Sequence, residues 1–181
     1  MMKKTILKFG LISGVLASVM MLATAPFLEK LSGNTGYVVG YTTIVLAFLL
    51  VYFGIRSYRD NVGQGTISFG RGFAVGISIA LIMCVFYVAT WEILYFTVLH
   101  GVMDNYGAHT LEQMKAAGAS AAKIQAKVAE LNKMKAMYEN PLINAAMTFI
   151  EPFPVGLVIT LISAAILRRR GPRVAGEAVA A

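Results

Sequence analysis

Four stretches of the chain are nearly free of charge and long enough to cross a membrane. They occupy about residues 9–28, 36–55, 72–99 and 142–167. A helix rises about 1.5 Å per residue, so roughly 20 apolar residues span the hydrocarbon core of a bilayer. The third stretch is the clearest: it starts after Arg71, is uncharged to Thr90 and continues into the aromatic residues Trp91, Tyr95 and Phe96. The pattern predicts an all-α polytopic membrane protein, a bundle of four transmembrane helices.

The segment between the third and fourth stretches follows a different pattern. Thr110 to Gln113 resembles a capping box, Gly118 predicts a break, and Ser120 predicts a second helix start. One face of that second helix collects its apolar side chains, which are Ala121, Ile124, Val128, Leu131 and Tyr138. Asn140 and Pro141 then predict a new helix start. We therefore expect an amphipathic helical insertion over about residues 110–139, outside the membrane.

The length of 181 residues favours one domain. We assign it to residues 1–170, followed by a disordered tail at 171–181 that is rich in small residues. The first apolar stretch has two interpretations, since Ala23 to Ala25 also resembles a signal-peptide cleavage site. A retained first span is favoured, because Pro26 would directly follow the cut and the apolar run exceeds a usual signal sequence.

The distribution of charge predicts the orientation of the chain in the membrane. Only 14% of the residues are charged, against about 25% in soluble domains. The net charge of +7 comes mostly from residues that flank the apolar stretches, so it indicates membrane topology rather than nucleic-acid binding. Ten of the 16 Lys and Arg residues lie on the side of the termini and of the loop at Arg56 to Arg71. The positive-inside rule therefore predicts that both termini are cytoplasmic.

Small residues recur four apart in every predicted span. The ridges are Gly10, Gly14 and Ser18; Gly36 and Gly40; Gly72, Gly76, Ala80 and Cys84; and Gly156, Thr160 and Ala164. Membrane helices associate where small residues let their backbones approach closely, because lipid is as apolar as leucine. The spacing predicts a compact bundle.

Two glutamates are the candidate intramembrane polar site. Glu151 lies about ten residues inside the fourth stretch, where an acidic side chain costs about 2.5–3.5 kcal/mol to insert. We expect it to point into the bundle, either toward carbonyls freed by Pro152 and Pro154 or toward polar groups of other spans. The candidate groups on other spans are Thr24, Thr42, Thr43 and Tyr87. Glu92 lies near the outer boundary. The alternatives are structural roles, with Glu151 capping a broken helix and Glu92 reaching water, or a shared proton or cation site.

Other chemistry is weakly supported. His100, Asp104 and His109 are too few for a well-formed metal site, and we predict no metal and no cofactor. The glycines at 63, 65, 70 and 72 do not match a phosphate-binding loop. The serines of the apolar stretches have no nearby histidine in the sequence. We therefore predict that the chain is not an enzyme.

Several short motifs carry a family resemblance. They are Gly54 to Asp60, Ile67 to Gly70, Gly118 to Ser120, Met137 to Pro141, and Glu151 to Gly156 with the arginines after Leu167. In order and spacing the chain resembles, over about residues 5–170, the bacterial membrane-protein family catalogued as domain of unknown function 4199. The resemblance implies a multi-pass protein of the bacterial inner membrane, and it implies no activity, cofactor or functional residue.

Two functions fit this pattern. The first is a non-enzymatic structural or partner-binding protein of the inner membrane, whose partners are the lipid bilayer and a second copy or another membrane protein. The apolar face of the outer helix motivates it, since that face must be covered. The alternative is a small oligomeric transporter or channel that uses Glu151 and Glu92.

Overall fold

The computed structural model describes residues 1–27, 34–99 and 101–169, with the backbone alone at 34–37. Seven α-helices account for most of this chain. They are α1 (Met2–Thr24), α2 (Asn34–Asn61), α3 (Phe69–Thr97), α4 (Val102–Ala116), α5 (Ala121–Tyr138), α6 (Pro141–Ile150) and α7 (Pro152–Leu167). The predicted tail at 171–181 lies outside the described residues.

Four segments are long and apolar enough to cross a membrane. They are Met2–Phe27, Val38–Asn61, Phe69–Thr97 and Pro141–Leu167. The first continues α1 through a short 3₁₀ turn, and the last combines α6 with α7. The prediction of an all-α bundle with four membrane-spanning helices is confirmed, and α4 and α5 lie between the third and fourth spans.

Several helix boundaries differ from the predicted ones. Helix α1 begins at Met2 rather than at residue 9. Helix α3 begins at Phe69 rather than at residue 72, because the Ser68 hydroxyl caps it by accepting from the Arg71 amide. Helix α2 continues six residues past the predicted end at residue 55, to Asn61. The predicted start at Thr110 is wrong: α4 begins at Val102, and the Thr110 hydroxyl donates to the Tyr106 carbonyl one turn earlier.

Helix α3 is the centre of the bundle. It packs on α1, α2, α6 and α7, while α2 also packs on α1 and α7. The fully buried side chains between α2 and α3 are large and apolar, and include Phe48, Ile44, Ile55, Ile79 and Met83. At the α1 boundary, the Ser13 hydroxyl donates to the Ala47 carbonyl at 2.7 Å. The core is thus a close-packed apolar centre with polar contacts at its helix boundaries.

Small residues set the closest helix approaches. Where α3 crosses α7, Gly76 lies against Thr160, and a Cβ on Gly156 would lie 3.3 Å from that of Ala80. A Cβ on Gly76 would come within 2.8 Å of the Thr160 methyl group, so only glycine fits there. The predicted ridges of the third and fourth spans therefore do meet each other. The prediction is wrong for Gly40, which faces open space with no atom within 4 Å of a built Cβ.

Helices α4 and α5 form a hairpin. Gly118, at φ +72°, ends α4, and the Ser120 hydroxyl caps α5 by accepting from the Lys123 amide. Leu131 is buried, and a Cβ on Gly107 of α4 would lie 3.7 Å from its side chain. Of the predicted apolar face, Ile124 and Val128 are half-buried and only Leu131 is buried. Helix α4 therefore covers part of the face that we expected to need a partner.

Candidate functional site at the break in the fourth span

Glu151 lies where the fourth span breaks. Helix α6 ends at Ile150 and α7 begins at Pro152, with Glu151 between them at φ −66° and ψ −59°. Pro152 and Pro154 have no amide hydrogen, so the carbonyls four residues earlier lose their helical donors. The break therefore follows from the prolines, as the sequence indicated.

Within the described residues, the Glu151 carboxylate has one hydrogen-bond partner. The Tyr87 hydroxyl of α3 donates to Glu151 Oε2 at 3.2 Å, so one of the predicted partners is present. Glu151 is nevertheless exposed on the surface of the chain, which corrects the expectation that it points into the bundle interior. Tyr41 of α2 and Tyr138 of α5 lie within electrostatic range of Tyr87. We call Tyr41, Tyr87, Tyr138 and Glu151 the tyrosine–glutamate cluster.

The break also changes what the fourth span packs against. Among the described residues, α7 packs on both α2 and α3, whereas α6 packs on α3 and α5 and makes no extensive contact with α2. The outer half of the span thus leaves one of its two neighbours. Glu151 is exposed because it lies at the point where this separation begins.

A buried polar cluster lies about two turns from Glu151, toward the start of α6. Asn144 is fully buried, and its Oδ1 accepts from Trp91 Nε1 at 3.0 Å and from the Thr148 hydroxyl at 3.2 Å. Its Nδ2 donates to the Tyr138 carbonyl at 3.0 Å. Asn144 therefore joins the third span, the fourth span and the end of α5. This cluster was not predicted from the sequence, although Asn144, Thr148 and Glu151 at spacings of four and three do share one helix face.

Tyr138 connects the outer hairpin with this site. Its ring lies 6.0 Å from that of Tyr95, centroid to centroid. Burial raises the pKa of Tyr138, and the negative charges of Glu151 and of Tyr106 when ionised raise it further. The phenol is therefore held in its neutral, hydrogen-bonding form beside the carboxylate.

Glu92 lies elsewhere. It follows Tyr87 by five residues, which is about 140° around a helix, so the two side chains leave α3 in different directions. Its Oε1 is covered and has no hydrogen-bond partner in the described part of the chain. The structure therefore does not bring Glu92 and Glu151 together as a shared site within one chain.

The weaker metal hypothesis gains no geometric support. His100 lies outside the described residues. Asp104 accepts from Lys135 Nζ at 2.6 Å, and His109 Nε2 lies 3.1 Å from the Gln113 amide. Within residues 1–27, 34–99 and 101–169, no three His, Cys, Asp or Glu side chains are grouped so as to hold a metal ion.

Comparison with known proteins gives one match. The family described as "Protein of unknown function (DUF4199)" matches residues 8–169, which is most of the chain. No curated protein and no solved structure matches.

Proposed function

We propose a function for this chain, which belongs to the DUF4199 family of proteins of unknown function. It is a non-enzymatic membrane protein that binds another membrane-embedded protein. The observation that carries the proposal is the exposure of Glu151 within a membrane-spanning segment. The binding surface is the outer half of the fourth span, around the tyrosine–glutamate cluster.

The depth of Glu151 makes its exposure costly. It lies about 15 Å along the span from Pro141 and about 24 Å from Leu167, at about 1.5 Å per residue. A hydrocarbon core about 30 Å thick therefore includes it. An acidic side chain at such a depth costs about 2.5–3.5 kcal/mol and is usually turned toward protein or water. Coverage by a second protein removes this cost.

The carboxylate also has unused hydrogen-bonding capacity. An ionised carboxylate offers about four acceptor positions, and Tyr87 donates to one oxygen only. A partner helix that presents a hydroxyl, an amide or a basic side chain at this depth would satisfy the remainder. Such polar contacts between membrane helices contribute about 0.6–2 kcal/mol each.

Site-specific photo-crosslinking in native membranes tests this proposal. Ile150 is 65% exposed beside Glu151, and Val15 is 51% exposed on α1, which packs on α2 and α3. A photoreactive residue at position 150 should give a discrete protein adduct, whereas one at position 15 should give none. The adduct should decrease when Glu151→Leu is added, because the partner's donor then loses its acceptor.

The adduct mass identifies the class of partner. An increase equal to the chain's own 19.5 kDa indicates a second copy, and any other discrete mass indicates a different protein. Equal yields at positions 150 and 15, or an adduct that Glu151→Leu leaves unchanged, would contradict the proposal.

A small oligomeric transporter or channel is the second candidate. The observation that favours it is the row of Asn144, Thr148 and Glu151, which runs along one face of α6 toward the outer hairpin. Asn144 and Thr148 already hydrogen-bond within the chain, so a pathway along them would need those bonds to rearrange. Glu151→Gln separates the two functions. It should abolish pH-dependent ion flux in reconstituted vesicles if Glu151 carries a proton, while the photo-adduct persists if Glu151 only accepts hydrogen bonds.

We further propose that the protein lies in a bacterial inner membrane with both termini in the cytoplasm. The basic residues that flank the spans support this orientation. In the fold, the backbones of Ile67 and Arg169 exchange two hydrogen bonds at 3.0 Å, so the loop after α2 and the end of α7 share one end of the bundle. In a Cys84→Ala background, an impermeant thiol reagent added outside should label a cysteine at Gln125 but not at Gln64. Labelling at Gln64 but not at Gln125 would contradict the proposed topology.

A further inference from the structure

A groove lies between α1 and α2 at the basic end of the bundle. Its apolar wall consists of Phe9, Leu50 and Phe53, and its rim consists of Arg56, Ser57 and Asp60. Its volume of about 500 Å³ falls within the range of small-molecule sites, about 300–1,000 Å³. Leu50 precedes Arg56 by six residues, so the groove extends about 9 Å from the charged rim toward the apolar part of the spans.

Positive charge exceeds negative charge in the surroundings of the rim. Arg59 Nε lies 2.6 Å from Asp60, while Arg56 Nε lies 3.7 Å from the same carboxylate and its side chain is 55% exposed. Lys8 Nζ lies 5.9 Å from the centre of the Phe9 ring, at the edge of the groove. Arg169 also lies within electrostatic range of Asp60. Three arginines therefore lie near the Asp60 carboxylate, and Lys8 lies beside the Phe9 wall. Of the two arginines that pair with Asp60, Arg56 is the more distant.

We propose that this groove binds an anionic phospholipid, with one acyl chain against Phe9, Leu50 and Phe53 and the phosphate at Arg56. Guanidinium groups bind phosphate through charge-assisted hydrogen bonds, and the Ser57 hydroxyl can donate to a second phosphate oxygen. Basic pockets between membrane helices are suited to anionic head groups. A choline head group would place its own positive charge among the four cations and would bind less well.

Native mass spectrometry of the full-length protein in mild detergent tests the site. Phosphatidylglycerol and phosphatidylcholine with identical acyl chains are added in equal amounts. We expect phosphatidylglycerol to be retained at least about fivefold more than phosphatidylcholine. This ratio corresponds to the free energy that one Lys or Arg side chain contributes near an anionic lipid surface. Equal retention of the two lipids would overturn the proposal.

Three variants locate the binding. Arg56→Gln should remove most of the preference for phosphatidylglycerol, whereas Arg71→Gln, an exposed arginine of the same basic region outside the groove, should retain it. Leu50→Trp fills the groove without changing charge and should also reduce retention. A similar loss in both arginine variants would show adsorption to a general basic surface, and full binding by Leu50→Trp would show that no acyl chain enters; either result overturns the proposal.

Discussion

The two halves of the fourth span hold the same neighbour, α3, by different means. The inner half, α7, approaches α3 through small residues, with Gly156 near Ala80 and Thr160 near Gly76. The outer half, α6, contacts α3 through side-chain hydrogen bonds, from Trp91 to Asn144 and from Tyr87 to Glu151. The contrast shows that one span can be fixed by close packing at one end and by polar contacts at the other.

The break at Glu151 makes this division possible. The prolines at 152 and 154 interrupt the backbone hydrogen bonding. Before this point α6 packs on α3 and α5, without the extensive contact that α7 makes with α2. Close packing is unaffected by water or partners, whereas polar groups can exchange partners. The inner half is therefore suited to stability, and the outer half is suited to recognition.

The largest effect is expected in the inner half. A Cβ on Gly156 of α7 would lie 2.6 Å from the ring of Phe48 on α2, so Gly156→Ala forces α7 and α2 apart. Overpacking of this kind costs about 1–3 kcal/mol. We expect a clear fall in the free energy of unfolding, measured by titration with sodium dodecyl sulfate in mixed micelles.

Gly40→Ala is the matched control for that experiment. A Cβ on Gly40 meets no atom within 4 Å, and alanine favours a helix over glycine, so stability should be unchanged or slightly increased. Equal losses in the two variants would mean that close packing of α7 does not distinguish the inner half.

A smaller effect is expected from the outer half. Asn144→Leu leaves Trp91 Nε1 and the Tyr138 carbonyl without their partner, and should cost about 0.6–2 kcal/mol. Because Trp91 is the single tryptophan of the chain, its fluorescence should change at the same time. Asn132→Leu, at an exposed position of α5, should alter neither stability nor fluorescence. If Asn144→Leu costs more than Gly156→Ala, the ranking of the two halves is reversed.

Local signals predicted most of the helices. Long uncharged runs identify the four spans because transfer of apolar residues to lipid depends on composition alone. The Asn140 side chain accepts from the Leu142 and Ile143 amides, and Ser120 caps α5, as their residue types indicated. These features involve residues within three or four positions of each other.

The site was harder to predict, because it depends on contacts between distant residues. Asn144 and Trp91 are 53 positions apart, and nothing local indicates that their side chains meet. Glu151 is exposed because α6 does not share the extensive contact that α7 makes with α2, and this contact pattern is a property of the whole bundle. The early start of α4 depends on a turn at Gly101, whose φ is +81°. The resemblance of residues 110–113 to a capping box led to a predicted start at Thr110 instead.

The α4–α5 hairpin, which packs on α6, should also differ from α7 in its response to alkaline pH. Lys135 of α5 donates to Asp104 Oδ1 and Oδ2 of α4 at 2.6 and 2.8 Å, and this hydrogen bond raises the pKa of Lys135. Burial likewise raises the pKa of Tyr138. Both groups hold their proton more tightly in the folded state, so their contribution is complete below the unfolded values of about 10 and is lost as the pH rises through the folded values. The contacts of Gly76, Gly156 and Thr160 in the inner half involve no titratable side chain.

We therefore expect a small, local loosening of the α4–α5 hairpin above about pH 10. Amide hydrogen exchange, corrected for its intrinsic pH dependence, should accelerate in α4 and α5 between pH 8 and pH 11 while α7 stays protected. Lys135→Met removes one of the two groups and should already show faster exchange of α4 at pH 8, with a weaker further increase at high pH. Lys133→Met, at an exposed position of the same helix, should behave like the unmodified protein. Equal acceleration in α7 would show that the hairpin and the inner half of the fourth span respond to pH as one unit, which would contradict this prediction.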